Sequence, residues 1–339
     1  MGAEAATLSA PNLVLVEQFA ACHEAIRAML ASPAPMFLGR IGGSDSDIVI
    51  EYHDLRARLG EAEALRLILP KFGIVKLFNG YYDKGDDDRN VARFCQYMAR
   101  NYEACSDLLV VGEPLLTEFM PGSINSQFHV DTSAIRGALR SFIGAIAARH
   151  AQTRLFPYGY VEQIVKGAHN LFRLFGEMLQ GKRVLVISPF AESIRANFSR
   201  RHEFFPGYNY PNFALSTYNT PITYHGLPPE FYPDHDWFAT VERMKAEISR
   251  KDFDIALLSC GSYAMPLGLH IRDVMQRKAI YVGGCLQLFF GITGRRYDNP
   301  FFIDQMNTDA FILPLERERF LRHVPVQPGS ARDAFGAYF

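Results

Sequence analysis

The chain has 339 residues, of which 48% are hydrophobic and 21% are charged, a balance typical of a globular protein with ample material for a core. Its 35 lysines and arginines are offset by 36 aspartates and glutamates, so the formal net charge is −1. Nucleic-acid binding by general phosphate attraction needs an excess of basic residues, so we expect no nucleic-acid partner.

The five cysteines are odd in number, and no two of them form a C-x-x-C arrangement. This pattern indicates reduced thiols rather than a disulfide framework or a zinc site. No apolar run in the sequence approaches the roughly 20 residues that cross a bilayer. We therefore expect a cytoplasmic protein with no transmembrane segment, for which peripheral contact with a membrane stays open.

The first half of the chain alternates between amphipathic and wholly apolar segments. Apolar residues three and four positions apart predict helices, and short apolar runs predict buried strands. The predicted elements are, in chain order, a helix over 13–31, a strand over 36–41, helices over 47–59 and 86–105, a strand over 107–112, a helix over 133–150 and a short strand over 153–159. Pro33 and Pro35 end the first helix, because proline cannot continue it.

The second half of the chain repeats this alternation more sharply. It predicts helices over 170–179, 192–204 and 263–278, and strands over 182–188, 254–260 and 279–284. These strands are almost wholly apolar and are separated by helices, which is typical of a parallel sheet covered on both faces. The predicted fold class is α/β, with a mostly parallel sheet and helices on both faces in a single large domain.

The chain divides into three predicted parts. They are an N-terminal helical segment over 1–35, an α/β domain over 36–297 and a C-terminal segment over 298–339 that wraps over the domain. The aromatic and proline-rich stretch 204–237 is too long for an ordinary connection. It predicts either a functional loop or lid, or a packed irregular insertion.

The residues that follow the first predicted strand form a candidate site, because ligands of an open parallel sheet bind beyond the carboxyl ends of its strands. The stretch "GRIGGSDSD" holds Arg40, Gly42, Gly43, Asp45 and Asp47. The glycines allow positive φ and a close approach of the backbone to a ligand. The carboxylates could hold a divalent metal, contact sugar hydroxyls or take a proton from an acceptor hydroxyl. They could equally be first-turn acids that the helix dipole stabilises.

Glycine and serine turns also follow three predicted strands of the second half. The candidate ligand-binding residues in and after these turns are Ser188, Gly261, Ser262, Gly284, Gln287, Gly291 and Arg295. Helix N-termini and the guanidinium groups of Arg295 and Arg296 suit phosphate, so we predict a phosphorylated ligand, with Ser188 and Ser262 as N-caps. The alternative is that these turns only cap helices, that Gln287 is a satisfied buried amide and that the arginines are solvated.

These blocks resemble a known family, the GT-D-type glycosyltransferases, in which an Arg-x-Gly-Asp-x-Glu stretch meets a nucleotide sugar. The later blocks "ISPFAESI", "LLSCGSYAMPLGLHI" and "AIYVGGCLQLFFGITGRRYD" resemble the C-terminal half of the same family in the same order, so the resemblance covers roughly 36–297. By position, Arg40 and Gly42 match the family's Arg and Gly, and Asp45 matches its Glu. The family's Asp falls on Gly43, and Asp47 lies close enough to substitute for it.

The resemblance implies a Rossmann-like core that transfers a sugar from a nucleotide-diphosphate sugar to a hydroxyl of a saccharide or glycoconjugate acceptor. Asp45 would orient the donor sugar, directly or through Mn²⁺ or Mg²⁺, or act as a base toward the acceptor. The second-half turns and the arginines would hold the diphosphate. Two alternatives stay open: a methyltransferase or oxidoreductase with another nucleotide cofactor, although no G-x-G-x-x-G is present, and a non-catalytic relative that binds nucleotide sugars.

Overall fold

The computed structural model describes residues 12–110, 133–223 and 227–318. The ends of the predicted N-terminal and C-terminal segments, at 1–11 and 319–339, lie outside the described residues. So do positions 224–226 of the predicted lid and the last two positions of the strand predicted over 107–112.

The described residues form one sheet of eight parallel strands. These are β1 (Leu13–Leu15), β2 (Met36–Ile41), β3 (Asp107–Val110), β4 (Thr153–Pro157), β5 (Arg183–Ser188), β6 (Ala214–Asn219), β7 (Ile255–Leu258) and β8 (Lys278–Tyr281). Their order across the sheet is β1-β4-β3-β2-β8-β7-β5-β6, and every neighbouring pair is parallel. The predicted Rossmann-like α/β fold is confirmed.

Helices connect the strands and cover both faces of the sheet. They are α1 (Phe19–Ala31), α2 (Ser44–Leu59), α3 (Glu61–Ile68), α4 (Gly73–Phe78), α5 (Asp88–Glu103), α6 (Ser133–Ala147), α7 (Gly159–Glu162), α8 (Leu171–Met178), α9 (Ala191–Asn197), α10 (Trp237–Ile248), α11 (Ala264–Asp273), α12 (Leu286–Phe289) and α13 (Pro300–Ile303). No described helix is both long enough and apolar enough to span a bilayer.

Two hydrophobic layers pack against the sheet, and the side chains of β2 alternate between them, as the pleat of a strand requires. Phe37 and Ile41 belong to what we call the first layer, with α2, α5, α6, α10 and α11. Met36 and Leu38 belong to the second layer, with α1, α7, α8, α9 and α12. Because both faces of β2 are covered, its sequence is almost wholly apolar, and its predicted bounds are confirmed residue for residue.

The two edge strands, β1 and β6, lie where the sequence predicted the start of a helix and a loop or irregular insertion. The residues predicted to begin the first helix, 13–15, form β1, which pairs with β4, and α1 begins only at Phe19. Similarly, the stretch predicted as a lid contains β6, which pairs along its whole length with β5. Edge strands are short or half polar because one side has no partner strand. In β6 only Tyr218 is buried, so no apolar run marked it in the sequence.

The order of the strands places a point of reversal between β2 and β8. From β2 the chain continues to β3 on one side, whereas β8 reaches β2 from β7 on the other side. In doubly wound sheets such a point of reversal is where ligands bind, because the loops that follow the two strands diverge to opposite faces. The turn after β2 holds Gly42 and Gly43, and the turn after β8 holds Gly283 and Gly284.

Candidate functional site at the point of strand reversal

Arg40 lies next to the last residue of β2, and two aromatic rings face its side chain. Its guanidinium carbon is 4.3 Å from the centroid of the Tyr158 ring, which follows β4, and 5.5 Å from that of Tyr281, which ends β8. The Tyr158 hydroxyl donates a hydrogen bond to the carbonyl of Val282 at 2.9 Å, which links the residue after β4 to the residue after β8. Cation–π contacts of this kind position a guanidinium without neutralising its charge.

Gly283 makes room for Arg40. Its φ is 79°, and a Cβ at this position would come within 2.1 Å of Nη1 of Arg40 and 3.0 Å of the Tyr158 hydroxyl. Only glycine fits, for reasons of both backbone conformation and space. The sequence singled out the neighbouring Gly284, which is half-buried and has no positive φ.

Asp45 lies on the first-layer side of Arg40, in the first turn of α2. Gly42 and Gly43 precede it with φ of 116° and 100°, which confirms that the turn needs glycine. Burial raises the pKa of the Asp45 carboxyl, and the charge of Arg40, two backbone N–H groups and the Tyr102 hydroxyl partly offset this rise. Asp45 is only 5% exposed, so the structure makes it a buried, hydrogen-bonded carboxylate beside a guanidinium.

Asp47 is half-buried, one position beyond Ser46 in the same helical turn. Burial raises its pKa to about 7, and the negative charges of Asp45 and Glu51 contribute to this rise. A carboxyl with a pKa near neutrality can take up and release a proton at physiological pH. The first turn of α2 therefore holds two acids in different environments, one influenced by the charge of Arg40 and one able to titrate.

Two further charged residues approach Arg40 from the second layer. Glu162 ends α7 and is 4% exposed; burial raises its pKa, and the charges of Arg296 and Arg40 oppose this. Arg296 is half-buried in a 3₁₀ turn, whereas Arg295, the other arginine of the predicted pair, is exposed. We call Arg40, Asp45, Glu162 and Arg296 the switch-point cluster.

Sequence reasoning missed Glu162, and it named Arg296 only as one of a pair with Arg295. The signal for Glu162 was present, because it follows β4 as Asp45 follows β2, and the rule that ligands bind at the carboxyl ends of strands applies to both. Arg296 could not be separated from Arg295 without knowing the orientation of the turn that carries them.

The turn after β7 makes structural contacts. The Ser262 N–H and hydroxyl both donate to the carbonyl of Asn79, at 3.0 and 2.7 Å, and Ser262 Oγ accepts from the indole N–H of Trp237. A Cβ on Gly261 would lie 2.8 Å from the Asn79 carbonyl oxygen. The prediction that Ser262 caps a helix is wrong: α11 begins at Ala264, and the turn instead docks the end of α4.

The N-terminus of α9, the helix after β5, is capped by a carboxylate from another part of the chain. Glu316 accepts hydrogen bonds from the backbone N–H groups of Glu192 and Ser193, at 2.9 and 3.2 Å, and from the Ser193 hydroxyl. A carboxylate therefore occupies the start of α9, where the sequence predicted phosphate. The prediction that Ser188 is the N-cap is also wrong, because its hydroxyl accepts from Phe190 N–H at 3.2 Å and Phe190 is the residue before the helix.

Gln287 and Gly291 contribute to packing in the second layer. The buried Gln287 amide donates to the carbonyl of Ile292 at 3.4 Å, within its own loop. Gly291 has a φ of 67°, and a Cβ there would come within 2.4 Å of the Phe204 ring. The structure therefore brings Arg40, Gly42, Gly43 and Asp45 together, with Asp47 close by. The described contacts of Ser188, Gly261, Ser262, Gln287 and Gly291 are with other parts of the fold.

The described residues around Asp45 do not fit a divalent metal. Within 12–110, 133–223 and 227–318, no three His, Cys, Asp or Glu side chains are close enough together to hold an ion. The charge next to Asp45 is the guanidinium of Arg40, which would repel a second cation. None of the steps proposed below therefore uses Mn²⁺ or Mg²⁺.

The chain matches no protein-family model, no curated protein and no solved structure. The resemblance to GT-D-type glycosyltransferases therefore stays a prediction from the motif blocks of the sequence.

Proposed function

We propose that the protein is a glycosyltransferase that moves a sugar from a nucleotide-diphosphate sugar to a hydroxyl of a saccharide or glycoconjugate acceptor. The observation that carries this proposal is the switch-point cluster, in which Arg40 is held between Tyr158 and Tyr281 beside the buried Asp45. Buried charged groups brought together at a point of strand reversal are typical of a site that binds a charged ligand.

The charges of the cluster favour an anion that also carries hydroxyl groups. Burial raises the pKa values of Asp45, Asp47 and Glu162, whereas the guanidiniums of Arg40 and Arg296 keep their charge. Guanidiniums bind phosphate oxygens in a two-pronged geometry, and carboxyls bind hydroxyls. A diphosphate joined to a sugar presents both groups.

In the proposed mechanism the arginines bind the diphosphate, and the aspartates act on the donor sugar and the acceptor. Arg40 and Arg296 hold the diphosphate and stabilise the negative charge that develops on it as the bond to the sugar breaks. Asp45, fixed by Tyr102 and by backbone N–H groups, orients the donor sugar. Asp47 takes the proton of the acceptor hydroxyl, a role for which its pKa of about 7 is suited.

The proposed location is the cytoplasm. All five cysteines lie among the described residues, where each is buried and none forms a disulfide. This supports the reduced compartment that the sequence predicts.

The proposal is tested by measuring release of the nucleoside diphosphate from UDP-, GDP- and dTDP-sugars, with and without saccharide acceptors. We expect release from one donor, and we expect Asp45→Asn to slow it by about 10² to 10⁴, the range of a lost acid–base or orienting group. The matched control is Asp54→Asn on the same helix, a carboxylate that pairs with Arg58 at 3.4 Å. A donor that binds but is never turned over would indicate a non-catalytic binding protein. Tight binding of NAD or S-adenosylmethionine instead would indicate one of the other nucleotide-dependent enzymes.

A further inference from the structure

Glu162 is held rigidly at the second-layer side of the cluster. It ends α7, and the neighbouring Tyr160 anchors that helix: its hydroxyl lies 3.0 Å from Nδ1 of His23, whose Nε2 lies 3.0 Å from Glu177. The buried Ile164, two residues after Glu162, has a φ of 51°. A β-branched residue rarely adopts this conformation, and such strain concentrates at functional sites. The position of Glu162 is therefore fixed by the fold.

The Oε1 atom of Glu162 is buried, and it has no hydrogen-bond partner among the described residues. An unsatisfied buried acceptor of this kind is destabilising, because it has lost its contacts with water without replacing them. A group of this chemistry is stabilised when a ligand brings a hydrogen-bond donor to it. This carboxyl oxygen therefore needs a hydrogen-bond donor that the described residues do not supply.

The charges around Glu162 limit which hydrogen-bond donors a ligand can place beside this carboxyl. Arg296 and Arg40 both act on this carboxyl, and two guanidiniums disfavour a cationic ligand there. The carboxylate itself disfavours an anion. A neutral hydroxyl satisfies both conditions, and it can sit beside the phosphate groups that the same arginines would hold.

We infer that Glu162 binds a hydroxyl group of the donor sugar and thereby lets the site distinguish a nucleotide sugar from the free nucleotide. This inference rests on the proposed function. Glu162 and Asp45 approach Arg40 from opposite layers of the sheet, so the sugar would be contacted by one carboxyl from each side. Glu162 would determine specificity, while Asp45 and Asp47 carry the chemistry.

Isothermal titration calorimetry of the full chain with UDP, GDP and dTDP, and with UDP-glucose, GDP-mannose and dTDP-glucose, tests the inference. We expect Glu162→Gln and Glu162→Met to bind the nucleoside diphosphate at least as tightly as the wild type does, because they remove a negative charge beside the two arginines. We expect them to bind its sugar conjugate about tenfold or more weakly, the effect of one lost hydrogen bond. Glu162→Met removes the unsatisfied acceptor at similar volume, so it should fold even if Glu162→Gln does not. The matched control is Glu103→Gln, a buried carboxylate that pairs with Arg149 at 2.8 Å.

The outcomes separate the inference from the proposed function. Unchanged affinity for the sugar conjugate in a folded Glu162 variant would overturn the inference alone, because it would mean that only water meets Oε1. Failure of the wild type to bind any nucleotide or nucleotide sugar would overturn the proposed function, and the inference with it. Loss of affinity for the sugar conjugate in the Glu162 variants, with no loss in Glu103→Gln, would support both.

Discussion

Three acids with raised pKa values lie around two guanidiniums, and each has a different environment. Asp45 is buried with hydrogen-bond donors around it, Glu162 is buried with a carboxyl oxygen that lacks a described partner, and Asp47 is half-buried near other negative charges. Acids whose environments differ in this way can take different roles at one pH, since the protonation state of each follows its own surroundings. This supports separate orienting, sugar-binding and proton-accepting roles.

Asp47 should make the stability of the protein depend on pH. Its folded-state pKa of about 7 lies above the ordinary value of 3.8. Its contribution to the free energy of unfolding is therefore complete below about pH 4 and is lost as the pH rises through 7. We expect Asp47→Asn, which cannot ionise, to be more stable than the wild type at pH 8 by up to about 4 kcal/mol and nearly equal to it at pH 4. Urea unfolding at the two pH values measures the difference. The exposed Asp304→Asn serves as control, and an equal gain at both pH values would contradict the prediction.

The sequence was sufficient to find the residues of one strand exit, because an arginine, two glycines and two acids within eight positions carry their own chemical signal. Gly42, Gly43 and Asp45 behave as that signal indicates. Tyr158, Glu162 and Arg296 come from distant parts of the chain. They meet Arg40 only because β4 and β8 lie on either side of β2 in the sheet, and no local pattern encodes that order.

At the scale of elements, the turn between β8 and α12 controls the position of Arg40. A methyl group on Gly283 would displace the guanidinium, whereas a Cβ on Gly181, with a φ of 71°, would meet nothing within 4 Å. Both Gly→Ala changes carry the same backbone penalty of about 1 kcal/mol. We therefore expect similar losses of stability from this source, with loss of nucleotide-sugar binding only in Gly283→Ala.

Thermal unfolding and ligand titration of the two alanine variants measure these effects side by side. Retention of full ligand affinity by a folded Gly283→Ala variant would show that the position of the Arg40 guanidinium does not matter for binding. Loss of affinity in both variants would show that general destabilisation, rather than the position of the guanidinium, is responsible.

The predictability of each element follows its degree of burial. The central strand β2 is covered on both faces, so its composition alone fixed its bounds. The edge strands β1 and β6 could not be found this way, since a three-residue strand and a half-polar strand look like the ends of a helix and a loop. The turns after β5 and β7 resemble phosphate loops by composition. Their polar groups are engaged by Glu316 and Asn79, contacts that sequence spacing does not reveal.

At the scale of the whole molecule, the site joins the two layers of the fold. Asp45 and Tyr102 belong to helices of the first layer, Tyr158 and Glu162 to the second, and Arg40 lies between them at the edge of the sheet. A ligand held by groups from both layers stabilises the folded domain as a unit, by an amount set by its concentration relative to its dissociation constant.

The central claim is that Arg40 and its neighbours bind a nucleotide-diphosphate sugar without a metal. The most direct measurement is the melting temperature of the wild type and of Arg40→Lys in EDTA, with UDP-, GDP- and dTDP-sugars. The control is Arg93→Lys, whose guanidinium lies 3.8 Å from the Phe238 ring on the exposed side of α5. At 100 times the dissociation constant we expect one donor to raise the melting temperature of the wild type and of the control by about 4 °C. In Arg40→Lys most of this rise should be lost, because an ammonium cannot replace the two-pronged fork. No rise with any donor, or an equal rise in Arg40→Lys, would contradict the claim.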